Sequence, residues 1–252
     1  LEYLDRIHRW IHETKLNSIQ GLERFPVREL INGTTQAFDE HYFRYSGRRL
    51  RFFRGEYAYH RRVFANWRFL DDEPLEADDS VIVSWPFCST GERPDGLNSL
   101  LDRAFELKVP VLMDAAYFGT CHAQAFDFSH PAIEAVCFSL TKGLGLGDLR
   151  SGVRYSFYTE DFPIRQQNQY DHTVLAAAKV GLHMMDLFSA DFIPSKYKEL
   201  QRQVCAETGL TPTPCMHLAL GSSPEWSDYE IDERYRRVGI RELIKARRKK
   251  LL

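Results

Sequence analysis

The sequence predicts an α/β protein: a three-layer α/β/α domain on a mainly parallel sheet, followed by a small C-terminal α+β domain. Three observations predict it. Three short apolar runs, SVIVSWP, VPVLMDAAYF and AIEAVCFSL, are nearly continuous, as strands covered on both faces are. Between the first two lies ERPDGLNSLLDRAFELK, whose leucines and Phe105 recur at helical spacing, so the three pieces form a β-α-β unit. After about residue 165, two strong helical patterns lead into short strand-like pieces.

Taken in order, Leu1 to about Lys15 has helical spacing, with Leu4, Ile7 and Ile11 on one face, and residues 1–30 read as an N-terminal helical segment. In NGTTQAFDEHYFRY, turn residues come first and a helical pattern follows; Asn32 to Thr35 can end a loop and cap that helix. RLRFFRGEYAYHRRVF reads as extended pieces around Gly55. RSGVRYSFY reads as a further strand, closing a large domain over 31–165. YDHTVLAAAKVGLHMMDLF predicts a bridging helix over 166–190. YKELQRQVCAETGL predicts a second helix ending at Gly209, and CMHLALGSS and YRRVGIREL supply strand edges of a small domain over 191–252.

The 252 residues suffice for a main domain with a smaller second one. A net charge of −2 points to neither nucleic acid nor membrane as a partner, and the basic run KARRKKLL reads as a solvated helix end. No apolar stretch reaches the length of a membrane span and no signal peptide opens the chain. Five cysteines without a CxxC read as free thiols, so the cytoplasm is the expected compartment. His8 and His12 have the spacing of a zinc pair but no third ligand, so no metal is expected. GLGLGD lacks the G-x-G-x-x-G spacing of a dinucleotide fingerprint.

In open α/β sheets, ligands sit at the carboxyl ends of the strands. Those ends carry Pro86-Phe87-Cys88, Asp114-Ala115-Ala116-Tyr117 and Ser139-Leu140-Thr141-Lys142, which places the polar residues on one rim. A lone lysine at a strand end is ordinarily a surface group. A partly desolvated one is a nucleophile towards carbonyls, and Lys142 has two phosphate-binding types nearby, Ser139 and Arg150. Asp114 ends an apolar strand, where a carboxylate needs a cationic or N–H partner; a protonated pyridine nitrogen would serve. Tyr117 could donate to a phenolate oxygen, although an N-cap aspartate beside a core tyrosine would also account for the pair. Gly33 allows close backbone approach, and the amides after it, with the hydroxyls of Thr34 and Thr35, point at any anion placed there.

Together these motifs resemble the fold-type-I pyridoxal-phosphate enzymes, specifically the class I/II aminotransferases. SLTKGLGLGDLRSG resembles the family's S-x-x-K followed by R-x-G, DAAY its D-x-x-Y, and NGTTQAF its phosphate-cup turn. PFCSTG stands where the family has a P-x-N-P-T-G-like turn, and GEYAYH resembles its ring-stacking aromatic with a histidine three residues later. The matches run in the family's order from Asn32 to Gly152, with a further one at RRVGI. The resemblance implies that Lys142 holds pyridoxal 5'-phosphate as an internal aldimine, Asp114 binds the pyridine nitrogen with His60 behind it, and Tyr117 donates to the phenolate oxygen. Tyr57 would stack on the ring; Gly33, Thr34, Thr35, Ser139 and Arg150 would hold the phosphate; Arg237, beside Arg236, would grip a substrate carboxylate. The implied activity is amino transfer between an α-amino acid and a 2-oxo acid by a homodimer. A lyase or decarboxylase on the same scaffold, or a non-catalytic cofactor-binding relative, are the alternatives. The sequence departs at Cys88, where the family has an asparagine that donates to the phenolate oxygen, and in its short length.

Overall fold

The computed structural model describes residues 2–232 and 235–250. The first residue of the expected N-terminal helix and the last two of KARRKKLL therefore lie outside the described residues. Helix α1 (Glu2–His12) buries Tyr3, Leu4, Ile7, Trp10 and Ile11. Strands β1 (Ser18–Gln20) and β2 (Val27–Ile31) follow, with a 3-10 turn at Leu22–Arg24 between them. The helix expected from Leu1 to about Lys15 stops at His12, and the rest of the expected helical segment 1–30 holds β1, the 3-10 turn and β2, which joins the main sheet. Next come α2 (Thr34–Arg44), β3 (Arg49–Phe52), α3 (Tyr59–Val63) and β4 (Trp67–Phe69). The piece after Gly55 is accordingly a short helix, not a second extended run.

The three apolar runs form β5 (Asp79–Ser84), β6 (Val111–Ala115) and, after the short β7 (Ala125–Asp127), β8 (Ile133–Ser139). The expected helix α4 (Leu97–Leu107) connects β5 to β6. A one-turn helix α5 (Leu140–Gly143) carries Lys142, and β9 (Gly152–Ser156) follows. The expected bridging helix is two helices, α6 (Pro163–Gln169) and α7 (Leu175–Leu187). Pro163 sits at the start of α6, where a missing N–H costs nothing. Helix α8 (Phe192–Thr208) ends on Gly209 in the left-handed conformation, as expected. Strands β10 (Leu210–Pro212), β11 (Leu218–Gly221), β12 (Glu230–Asp232) and β13 (Tyr235–Gly239) and helix α9 (Arg241–Lys250) complete the described chain.

The main sheet has the order β2-β9-β8-β6-β5-β3-β4. Neighbours among β8, β6, β5, β3 and β4 are parallel, and β9 runs antiparallel to β2 and β8. Alternate residues feed separate cores, as the period of two requires. Val81, Val83, Val111, Met113, Val136 and Phe138 pack towards α1, α4 and α7. Ile82, Leu112, Ala135 and Cys137 pack towards α2 and α6, with Phe38 and Ile164. This is the three-layer arrangement the sequence predicts. On the α2 side, Arg154 of β9 pairs with Glu29 of β2 and Glu40 of α2, all three buried. The four-stranded sheet β10-β11-β13-β12 has its own apolar cluster, with Val204 and Cys205 of α8, Ala219, Val238 and Ile244. No helix among the described residues is long and apolar enough to cross a membrane.

Candidate active site

Strand parity positions the site. Ser84 shares the parity of Ile82, Asp114 that of Leu112, and Ser139 that of Cys137, so the last polar residues of β5, β6 and β8 all face the α2 side. They stand at the carboxyl ends of adjacent parallel strands, beneath the start of α2. The cleft formed there is lined by most of the residues expected from the sequence: Thr34, Thr35, Tyr57, Cys88, Asp114, Tyr117, Ser139, Lys142 and Arg150. Thr141, Ser84, Pro86 and Ala116 line it as well.

One end of the cleft is a set of anion donors. Arg150 Nη2 donates to Thr35 Oγ1 at 2.9 Å. Ser139 Oγ donates to Thr141 Oγ1 at 2.8 Å and accepts from Thr141 N at 3.2 Å, which caps α5. Gly33 does not line the cleft; it lies under Arg150. Its φ of 72° suits glycine, and a Cβ there would come within 2.6 Å of Arg150 Nη2. Helix α5 sits tightly on the turn after Tyr117, because Gly119 and Gly143 face each other without side chains. A Cβ on Gly119 would lie 2.8 Å from Gly143 Cα. That contact brings Lys142 and Tyr117 into one wall.

The cleft wall also holds one carboxyl, Asp114. Asp114 is buried, and burial pushes its carboxyl up to about 7, with the nearby Glu56 charge adding to the shift. The Ala116 N–H, 3.0 Å from Oδ1, the Thr34 hydroxyl and Lys142 oppose it. Such a carboxyl accepts a cationic partner at little cost. His60 is buried behind this region, but its Nδ1 is 2.5 Å from the Tyr42 hydroxyl, and burial lowers its pKa to about 3. It engages Tyr42 where the sequence suggested support for Asp114.

Arg237 of β13 reaches the rim. Its Nη1 donates to the Cys88 carbonyl and to Cys88 Sγ, both at 2.9 Å. Arg236, by contrast, points to Glu230 and the carbonyl of Ser222. Cys88 Sγ lies 3.8 Å from the Tyr117 hydroxyl, and burial pushes the thiol up to about 11, so it stays neutral. Tyr57 stands partly exposed on the turn after Gly55, its ring nearly parallel to that of Tyr59.

Two residues of this region had no sequence signal. Glu56, between Gly55 and Tyr57, is buried, and nothing in its spacing marks it. His217 packs edge-on to Tyr117 at 4.5 Å, and neither ring nitrogen, both buried, has a hydrogen-bond partner. Thr141 could have been found as a hydroxyl between Ser139 and Lys142 on a helix start. His8 pairs with Tyr155, 3.1 Å away, and His12 with the carbonyl of His8.

The residues present fit pyridoxal 5'-phosphate. A hydroxyl–guanidinium set suits the phosphate, a buried carboxyl suits the ring nitrogen, and a lysine lines the same cleft. No protein-family model matches the sequence, and no curated protein matches it. Solved structures share the fold. A PLP-bound structure from Clostridium difficile 630, described as an aminotransferase, is 12% identical with a TM-score of 0.63, over 87% of this chain and 67% of that one. An aromatic aminotransferase from Pyrococcus horikoshii is 14% identical, TM-score 0.61, over 87% and 69%. An alanine aminotransferase from Pyrococcus furiosus is 13% identical, TM-score 0.61, over 87% and 65%. The chain therefore has the fold of these aminotransferases and spans about two thirds of their length.

Proposed function

We propose that the chain is a pyridoxal-phosphate-dependent aminotransferase that moves an amino group between an α-amino acid and a 2-oxo acid, with Lys142 as the residue that holds the cofactor. The observation that carries this reading is the placement of Asp114, a buried carboxyl with pKa near 7, in one cleft with Lys142 and the Thr35–Arg150 anion donors. When bound, the cofactor supplies an electron sink for the bond broken at the substrate α-carbon.

The chain's own groups would then act as follows. Arg150, Thr35 and Ser139 hold the phosphate by charge and hydroxyl donation. Asp114 pairs with the ring nitrogen and keeps it protonated. Tyr57 covers one face of the ring and excludes water from it. Tyr117 donates its hydroxyl to the phenolate oxygen; burial raises its pKa, so the proton stays on the phenol. The Lys142 amine, once free, takes the proton from the substrate α-carbon. Arg237 meets the substrate carboxylate with the part of its fork not given to Cys88. A homodimer is part of the same proposal and rests on the resemblance alone, while the cytoplasm as its compartment rests on the five free cysteines.

Adding pyridoxal 5'-phosphate to the purified protein should give an absorbance band that borohydride fixes covalently on Lys142. Lys142→Ala should give no fixed adduct and lower amino transfer by about 10²–10⁴-fold or more. Products assayed across a panel of amino acids should include the matching 2-oxo acid and a newly aminated acceptor. Absence of any fixed adduct on the wild-type protein would overturn the reading.

A further inference from the structure

We propose that Glu56 is a positioning residue of this site: its buried carboxylate clamps the Tyr57 turn to the end of β5 and, through Ser84, to the Cys88 turn, setting the cleft walls before any ligand arrives. The proposal deepens the cofactor reading and rests on it for its ligand. Glu56 is only 6% exposed. Its Oε1 accepts from Tyr57 N at 2.9 Å and from Ser84 Oγ at 2.6 Å, and its Oε2 accepts from Ser84 N at 2.8 Å. Ser84 Oγ in turn accepts from Cys88 N at 2.9 Å. The Ser89 hydroxyl donates to the carbonyl of Gly55, closing the loop between the two turns. Both carboxylate oxygens therefore face N–H or O–H donors, an arrangement suited to an acceptor-only, ionised group.

Burial pushes the Glu56 carboxyl up from its usual range, and the Ser84 and Tyr57 donors and the Arg237 charge oppose that and favour its ionised form. Three of the titratable groups that face Glu56 line or reach the site, Asp114 on β6, Cys88 on its turn and Arg237 on β13, and a fourth, Tyr42 on α2, lies in the core behind it. The Glu56 charge raises the proton affinity of Asp114 and favours the charged form of Arg237. Below about pH 7, Asp114 of the empty cleft holds its own proton, so pairing with a cationic ring nitrogen requires that proton to be given up. Glu56 therefore helps set the pH at which the cleft becomes receptive.

The test compares wild type with Glu56→Gln, which keeps the size and one acceptor oxygen, and Glu56→Ala. Without ligand, amide hydrogen exchange at Tyr57 and Ser84 should speed up at least severalfold in Glu56→Gln. Inorganic phosphate, which needs only the Arg150 end, should bind within about twofold of wild type. Pyridoxal 5'-phosphate affinity at pH 8.5 should fall about 10–100-fold, the span of a charged buried hydrogen bond. The acid limb of its pH profile should move to lower pH, because Asp114 loses a like-charged neighbour. Unchanged exchange, or an unchanged affinity and pH profile with only the melting temperature lowered, would overturn the proposal. Wild-type protein that binds no pyridoxal 5'-phosphate would overturn the cofactor reading instead, and the exchange rates would still decide the clamp. If Glu56→Ala does not fold, Glu56→Gln carries every measurement.

Discussion

Gly33 shows how closely a single position can be tied to the site. Its backbone sits at φ 72°, and the space where a Cβ would go is filled by the Arg150 guanidinium. Gly33→Ala thus strains the backbone and displaces the arginine from Thr35. The expected outcome is an affinity for inorganic phosphate lower by about 10–100-fold, measured by calorimetry, with the fold retained by circular dichroism. Unaltered phosphate binding would separate Gly33 from the anion end. Residues of this kind were legible in the sequence because each is a polar or glycine residue at the edge of an apolar run: Gly33 before α2, Asp114 and Tyr117 after β6, Lys142 after β8. Glu56 and His217 were not, because each sits in a segment without a period and is understood only through contacts across the fold. At Cys88 the sequence shows only a departure from the family's asparagine. The Cys88 thiol and carbonyl receive Nη1 of Arg237, a contact between residues far apart in sequence.

Among the elements, the central strands were the most readable and the edges the least. The runs of β5, β6 and β8 are apolar on both faces because helices cover both faces. Strand β2 carries Arg28 and Glu29, and Glu29 is buried only because Arg154 comes to it from β9; a partner 125 residues away leaves no local pattern. Helices α3 and α6 are too short to show a period. The other edge of the sheet depends on a similar pairing. Asp79, at the start of β5, accepts from Arg51 Nη1 at 2.5 Å and from Arg49 Nε at 2.7 Å, and the side chains of Arg51 and Asp79 are both fully buried. Asp79→Ala would leave the Arg51 charge without its carboxylate, a loss of about 3–5 kcal/mol. A melting temperature about 10 °C lower is expected, since each kcal/mol is worth roughly 2–4 °C in a chain near this size. Replacing both residues, Arg51→Met with Asp79→Leu, should recover most of the loss. If the single variant melts within a degree or two of wild type, the pair does not hold this edge.

At the scale of the whole molecule, the buried titratable groups give the protein a defined response to acid. His41, His60 and His217 are each lowered to about 3, in every case first by burial. Unfolded, each returns to about 6.5, so between pH 3 and 6.5 the unfolded chain binds more protons on these residues. Their contribution to stability is present above pH 6.5 and is lost as the pH falls. Asp114 acts in the opposite sense. Raised by burial to about 7, it binds a proton in the folded state before the unfolded chain does, so it favours the folded state as the pH falls from 7 towards 4. Glu56 and Glu92, also raised by burial, act in the same sense as Asp114, and His8 and His122, also lowered by burial, act with the three histidines, so five histidines stand against three carboxyls. The ligand-free protein should therefore lose stability steadily from about pH 6.5 to pH 5, read as a falling urea midpoint. A ligand whose cation pairs with Asp114 removes that carboxyl's opposing contribution, so saturated protein should show the steeper fall. His41 allows a clean test, because it lies away from the cleft on α2, packs edge-on against Tyr45 at 4.8 Å and has no hydrogen-bond partner on either ring nitrogen. His41→Phe keeps the ring contact and removes the buried base. It should raise stability more at pH 5 than at pH 8 and make the slope between them shallower. An equal gain at both pH values would mean that His41 contributes through packing alone, and that the acid response originates elsewhere.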